Sequence, residues 1–496
     1  MQKTYIGIDI GTTSIKLAVV DHHMNIVHDV QYMYDYLTPH KEWKEIDPDT
    51  WYNIVLQGLE QTLDHIDCAS IAGIGITGQM HTTVFVDKHG LSVRPAIMWN
   101  DARTKKMIPN IKEKLVTSPQ AAHIAKIVST GSPLANLLWV KEKEPDHYKK
   151  IDKILITKDY LTFKLTGNYS TDYCDASTSS LYDLDEDKWS SEVQSLFGFD
   201  EKLFPEINFS SKVIGYLSKE LQEQFQLNQK IPIIAGTGDN VASAIAVGCF
   251  EKNQPLISLG TSGVVVVPNR YHQLKETGKN VVAKIEKEDN TIITQGTVQA
   301  GAKVNSWWLE KILKTEHFTE EQSNISNDLL GKNDVIFSPH LNGEKTIYAC
   351  PDFRGAFVGL SLETTREEMY LAVLEGLAFG IRRLFELMRN QENPKYFTIV
   401  GGGAKSNLWI QVFANVLNTP IRLIKNTQGA VSGAATLAII GVEGDFPRTR
   451  ADIEMIYPTD KIAFGYEKRY QKYLKLSELM LKFTEGGASD ETMLNL

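Results

Sequence analysis

The chain has only 4 cysteines in 496 residues, at Cys68, Cys174, Cys249 and Cys350. No two of them form a CxxC pair, so they read as small buried hydrophobes rather than disulfides or thiolate metal ligands. No stretch approaches the ~20 consecutive apolar residues that a bilayer-spanning helix needs. The first apolar run carries Asp9, which a signal peptide would not tolerate, and the expected location is the cytoplasm. Basic residues are in deficit too: 52 Lys and Arg against 61 Asp and Glu leave a net charge of −9. The pairs Lys105-Lys106, Lys149-Lys150 and Arg382-Arg383 stand far apart, and without a basic stripe nucleic acid is disfavoured as the main partner. A Walker A string and a His-Arg-Asp catalytic loop are missing as well.

What is present is an ordinary globular composition, 42% hydrophobic and 23% charged, in a chain too long for one core. Two short stretches about 250 residues apart repeat one local idea. Residues 5–19 run from a buried-type strand through Asp9-Ile-Gly11-Thr12-Thr13-Ser14 into a second strand containing Lys16. Residues 256–267 do the same through Gly260-Thr261-Ser262-Gly263. Both flanks are β-branched and show no helical period, which predicts tight hairpins. Glycine permits the turn and close approach of a ligand, while hydroxyls and successive N–H groups point into it. Two such turns suggest two related lobes holding one polyphosphate, and Asp9 adds a place for a divalent cation. The pattern resembles the superfamily of ATP-binding folds shared by sugar kinases, heat-shock proteins and actin.

Gly73-Ile-Gly75-Ile-Thr-Gly78 matches the dinucleotide GxGxxG string but is followed by Gln79-Met80-His81 and another strand. The dinucleotide version must open a helix, so a nicotinamide cofactor is rejected on context. The same stretch, followed by Pro95-Ala-Ile-Met-Trp99-Asn100-Asp101-Ala-Arg103, supplies amide, imidazole, indole, carboxylate and guanidinium. A polyhydroxylated sugar needs that mixture of donors, acceptors and a flat apolar face. A lone histidine at a strand end is otherwise an ordinary hydrogen-bonded turn residue.

These motifs identify the chain as similar to the FGGY carbohydrate kinases along nearly its whole length, and most similar to the xylulokinase group within them. The resemblance implies an α/β protein of two actin-like (ribonuclease H-like) lobes with an ATP and sugar cleft between them. Residues 1–245 would form the lobe with the sugar site and first phosphate turn, and 246–496 the lobe with the second turn and adenosine motif. It further implies an enzyme that phosphorylates D-xylulose to D-xylulose 5-phosphate with ATP and Mg²⁺. Gln79, Met80, His81, Trp99, Asn100, Asp101, Asp239 and Asn240 would hold the ketopentose. Asp239, in Ala235-Gly-Thr-Gly-Asp239-Asn240, would be the general base, although an Asp at a helix start is also an ordinary N-cap. Gly11, Thr12, Thr13, Lys16, Gly260, Thr261 and Ser262 would cradle phosphates. Gly402, Gly403, Ala404 and Asn407 in Val400-Gly-Gly-Gly-Ala-Lys-Ser-Asn407 would face the nucleoside, and Asp9 with Asp239 would serve the metal. No membrane or nucleic-acid partner is implied, and the family's habit allows a homodimer.

Three departures bear on the sugar: Thr82 stands where the group has Gly, Lys345 and Ile347 replace Arg and Pro in Gly-Glu-Arg-Thr-Pro, and Asn136 replaces a lysine. The rival readings are an FGGY kinase for ribulose or gluconate and a non-catalytic ATP-dependent switching module. Along the chain, helices are predicted near 48–65, 405–417, 429–441 and 464–484, with strands near 70–77, 82–87 and 397–400. Thr365 and Glu368 form a capping box at the head of the longest helix, and 105–225 reads as helical with polar loops.

Overall fold

The computed structural model describes residues 2–249, 254–260, 262–270, 277–287, 289, 291–389, 393–424, 428–447 and 453–486. Its packing defines two compact units. The first is Met1–Gly248 with Val281–Thr291 and Thr427–Ala451; the second is Cys249–Asn280 with Ile292–Asn426 and Asp452–Leu496. Two stretches from beyond residue 246 therefore fold with the N-terminal part of the chain.

In the first unit, Thr4–Ile10 and Ser14–Asp21 pair as the predicted hairpin, with Asp9 opposite Lys16. Ile71–Gly78 lies parallel to Thr4–Ile10 on its other side, placing Thr77 beside Asp9. Both strands are buried on both faces, which is why they read as nearly unbroken apolar runs. The sheet order is Val213–Tyr216, Pro232–Ile234, Ile71–Gly78, Thr4–Ile10, Ser14–Asp21, Ile26–Met33, with the short Thr237–Gly238 strand also on Ile71–Gly78. The stretch 105–225 is less purely helical than predicted. It contains the strands Lys153–Ile156, Ser170–Asp172 and Glu206–Asn208 among its helices.

The Ala430–Glu443 helix covers the Thr4–Ile10 and Ile71–Gly78 strands and packs on the Asp239–Ala246 helix. Its small residues are explained by how closely the backbones approach. A Cβ at Gly7 would land on the Val431 carbonyl, one at Gly75 on the Ala434 carbonyl, and one at Gly433 on the Ala242 carbonyl. Gly75→Ala is therefore expected to lower stability by about 1–3 kcal/mol, the usual cost of overpacking. Urea unfolding would measure it, and an unchanged midpoint would mean the helix can lift away freely.

The second unit repeats the plan. Leu256–Leu259 and Gly263–Arg270 form the second predicted hairpin, and Phe397–Val400 runs parallel to Leu256–Leu259. The full order is Lys279–Val282, Thr291–Val298, Gly263–Arg270, Leu256–Leu259, Phe397–Val400, Ile421–Ile424, Ile453–Ile456. The Arg366–Met388 helix starts at the predicted capping box: Thr365 Oγ1 accepts the Glu368 N–H at 3.2 Å, and Glu368 Oε2 accepts the Thr365 N–H at 2.7 Å. Fifteen of its residues are buried, and twelve of them, including Leu374, Phe379 and Met388, belong to one continuous hydrophobic core.

Candidate active site

Within the first unit the sequence-predicted residues gather around the ends of two parallel strands. At the first turn, Gly11 N–H donates to Ser14 O at 2.9 Å, and Tyr34 OH bonds the Gly11 carbonyl. Thr13 O accepts the Tyr34 N–H at 3.0 Å. Trp99 is 47% exposed and donates its indole N–H to Thr12 Oγ1 at 3.1 Å, tying the turn to the presumptive sugar segment.

Asp239 opens the Asp239–Ala246 helix directly after the Thr237–Gly238 strand. That strand is held by Thr77 Oγ1–H donating to Thr237 O at 2.6 Å. Gly236 before it has φ +74°, with its Cα against the Ile76 carbonyl where no Cβ fits. The Asp239 carboxylate accepts the Asn240 N–H at 2.7 Å, and Asn240 Nδ2 lies 3.9 Å from Met80 Sδ. Burial pushes Asp239 up to about 6, with the Asn240 N–H holding it back. Burial also lifts Asp9 to about 7, helped by the charge of Asp239 and opposed by Lys16. Asp9 Oδ1 is buried without a hydrogen-bond partner among the described residues. Two buried carboxylates, one of them raised by the charge of the other and holding an unmet oxygen, fit a divalent cation, whose charge would offset that repulsion.

Gln79 is almost wholly buried, and neither atom of its amide has a partner among the described residues. His81 adopts a left-handed conformation, φ +68°. Asp101 has a different occupation. Its carboxylate takes the Lys44 N–H at 2.6 Å, the Arg103 N–H at 2.8 Å and the Arg103 guanidinium at 2.9 and 2.8 Å.

The second unit holds a cavity of about 930 Å³. Gly260, Ala300, Asn305, Trp307, Gly402 and Ser406 are among the residues lining it. Asn305 is fixed by a chain of buried bonds. Ser406 Oγ–H donates to Gln322 Oε1 at 2.6 Å, Gln322 Nε2 to Tyr370 OH at 3.1 Å, and Tyr370 OH to Asn305 Oδ1 at 2.6 Å. Gly403 also lines the cavity; Ala404 and Asn407 do not, Asn407 being the exposed first residue of the Asn407–Leu417 helix. Ser262 is described, its carbonyl accepting the Gly260 N–H at 3.2 Å, while Thr261 lies outside the described residues.

Residues 4–246 match the family model for the N-terminal domain of the FGGY family of carbohydrate kinases, and residues 256–442 match its C-terminal domain. The chain belongs to the FGGY family of carbohydrate kinases. It is 32% identical over 438 residues to a xylulose kinase of Staphylococcus xylosus, covering 88% of this chain and 90% of that one. A xyloylose kinase from Brucella ovis superposes with a TM-score of 0.85 at 30% identity, over 96% of this chain and 99% of the other. A gluconate kinase from Lactobacillus acidophilus has the same fold, with a TM-score of 0.86 at 24% identity over 97% and 99% of the two chains. The α/β fold is thus the two-lobed actin-like fold of FGGY sugar kinases, and the protein is a carbohydrate kinase. Among the described residues, no helix is long and apolar enough to cross a membrane.

Two constellations in this FGGY kinase escaped the sequence reading. Arg103 is buried against the edge-to-face pair of Trp43 and Trp139, 4.1 and 4.8 Å from their ring centroids, and paired with Glu45 at 2.8 Å as well as with Asp101. The second lies near the strand that delivers Asp239. There Lys158 Nζ is fully buried and meets Asp159 at 2.6 Å, Asp172 at 3.0 Å and Asp175 at 3.2 Å. Asp172 also accepts the hydroxyl of Ser210 at 3.1 Å, and Ser210 O accepts the Gly236 N–H at 2.9 Å. No local motif announces either cluster, because the partners come from separate segments.

Proposed function

We propose that this FGGY kinase transfers the γ-phosphoryl group of ATP to D-xylulose, giving D-xylulose 5-phosphate, with Asp239 as the general base. The observation that carries the reading is the setting of Asp239. It sits at a strand-to-helix junction beside Met80 and Asn240, its carboxylate raised by burial to about 6. A base near the working pH is well matched to removing a hydroxyl proton while remaining ionised in neutral solution. Met80, His81, Trp99 and Asn240 would surround the sugar, with Gln79 and Asn100 supplying buried amides. Thr12, Thr13, Lys16 and the Gly260–Ser262 turn would hold phosphates. The cavity over Gly402 and Gly403 would take the nucleoside. Asp9 and Asp239 would hold Mg²⁺, which neutralises phosphate charge when bound.

A neutral sugar suits the site better than gluconate does. A carboxylate substrate needs a free counter-charge, and Arg103, the cation nearest in sequence to the sugar segment, is committed to Asp101 and Glu45 and packed against two indole rings. The reading also draws on the xylulose kinases to which the chain is similar over most of its length.

The test is ADP production with Mg-ATP across D-xylulose, D-ribulose, L-xylulose, gluconate and glycerol. D-xylulose is expected to lead in kcat/KM by about a hundredfold, or ~2.7 kcal/mol of transition-state discrimination. A lead by another sugar would retain the kinase and reassign its substrate. Nucleotide binding with no turnover on any of them would favour the switching-module reading.

A further inference from the structure

Asn136, at one of the positions where the sequence departs from its group, is fully buried on the Pro133–Lys143 helix. Its Nδ2 donates to Thr83 Oγ1 at 3.0 Å and to the Gly131 carbonyl at 3.2 Å. Thr83 Oγ1–H in turn donates to the His81 carbonyl at 2.9 Å. Since that hydroxyl has spent its proton and Gly131 offers a carbonyl, both neighbours of Asn136 are acceptors. The two protons of the Asn136 carboxamide NH₂ meet both at once.

We propose that Asn136 is a positioning residue for sugar binding, joining the His81 turn to the Trp99 segment so that the two walls of the pocket keep one spacing. This rests on the reading of His81 and Trp99 as sugar contacts. On one side the link runs through Thr83 to His81, whose left-handed backbone costs about 1 kcal/mol and needs outside support. On the other it runs through Gly131, at φ +80°. The α-carbon of Gly131 lies so close to the Trp99 carbonyl that a Cβ would collide with it. Thr82, another departure from the group, adds a direct tie: its Oγ1 accepts the Trp99 N–H at 3.1 Å. Thr82, Thr83 and Asn136 thus form one buried hydrogen-bonded brace behind residues 81 and 99. None of the three is assigned a contact with the sugar. Their effect would be to fix where the imidazole and the indole stand.

The experiment compares full-length wild type, Asn136→Leu, Thr83→Val and Thr83→Ser on D-xylulose and D-ribulose, with Mg-ATP varied separately. Leucine keeps the branching of Asn136 without its donors; valine keeps the shape of Thr83 without its hydroxyl; serine keeps the hydroxyl. Asn136→Leu and Thr83→Val are expected to raise the sugar KM about tenfold or more and to leave the nucleotide KM within about twofold. Both should also flatten the discrimination between the two ketopentoses, and Thr83→Ser should stay close to wild type. A scaffold role alone would lower the melting temperature of Asn136→Leu and Thr83→Val while leaving their sugar KM unmoved, and that result overturns the proposal. So does a Thr83→Ser enzyme as impaired as Thr83→Val. Should Asn136→Leu not fold, the threonine pair decides the matter alone. A wild type that prefers D-ribulose refutes the D-xylulose reading, yet the KM split on D-ribulose still tests the brace.

Discussion

Asp239→Asn is expected to lose about 10²–10⁴ in turnover while becoming more resistant to heat. The first effect follows from removing the proton acceptor and keeping the shape, so nucleotide binding should survive. The second follows from the carboxylate's raised pKa. Burial lifts Asp239 from its ordinary 3.8 to about 6, so between these values the folded protein binds a proton that the unfolded chain has lost. A raised carboxylate carries no penalty below 3.8; the penalty grows as pH rises towards 6 and is complete above it. The asparagine variant pays none of it. The shift would correspond to ~3 kcal/mol for a fully enclosed group, and ~1–2 kcal/mol is expected for one that keeps a solvent-facing edge. The gap in melting temperature should therefore open between pH 4 and 7 and close near pH 4, as scanning fluorimetry across pH would show. In the wild type, kcat/KM should fall as pH drops below about 6, because the base must be ionised. Near-normal turnover in the variant would make Asp239 a helix cap and place the base elsewhere.

Lys158→Met should be the most damaging single change, costing about 3–5 kcal/mol, the usual result of removing one partner from a buried ionic cluster. Three carboxylates would then face one another with no cation in a site closed to water. Burial already pushes Asp159 up and Asp175 well above the usual carboxylate range, even with the ammonium present. Without it, both are driven further towards the protonated form. The sign follows as for Asp239: the variant's deficit should shrink as pH falls and widen as pH rises. Adding Asp172→Asn should restore part of the loss by removing one buried charge. Urea unfolding at pH 5.5 and 8 would measure all of this, and a cost below ~1 kcal/mol at both would show the cluster to be dispensable. Since Asp172 is linked through Ser210 to Gly236, the variant should also disturb the strand leading to Asp239.

What could be read from the sequence was local. Each hairpin is written in a few consecutive residues, as is the Thr365–Glu368 capping box, and the folded protein forms them where the sequence places them, the second hairpin running on to Arg270. The strand at Phe397–Val400 falls on the predicted residues for the same reason. Asp101 shows where such reading stops. In the Trp99–Arg103 run it looks like one more polar group for a sugar, yet its carboxylate closes on Arg103 two residues away. The rings that pack against Arg103 come from Trp43 and Trp139, which no spacing within the run reveals. Lys158 is a milder case: Asp159 adjoins it, but Asp172 and Asp175 reach it only once the chain has turned back. The small residues after Gln428 let a helix pack closely, but nothing local says that the surface beneath them belongs to Gly7 and Gly75.

That packing has a consequence for how the protein comes to be made. The Thr4–Ile10 strand is covered by a helix that emerges more than 400 residues later. Between them the chain must synthesise the whole Leu256–Val400 part of the other sheet. The N-terminal half is therefore not a self-sufficient folding product. Released early at residue 248, it would present an uncovered, glycine-lined sheet face, the kind of surface that invites non-native association. Contacts so distant in sequence are slow to close, and the last step of folding is expected to be the seating of this late helix. For this chain, the sheet that bears Asp9 has all its strands by Gly238, yet one of its faces waits for a helix that begins at Ala430.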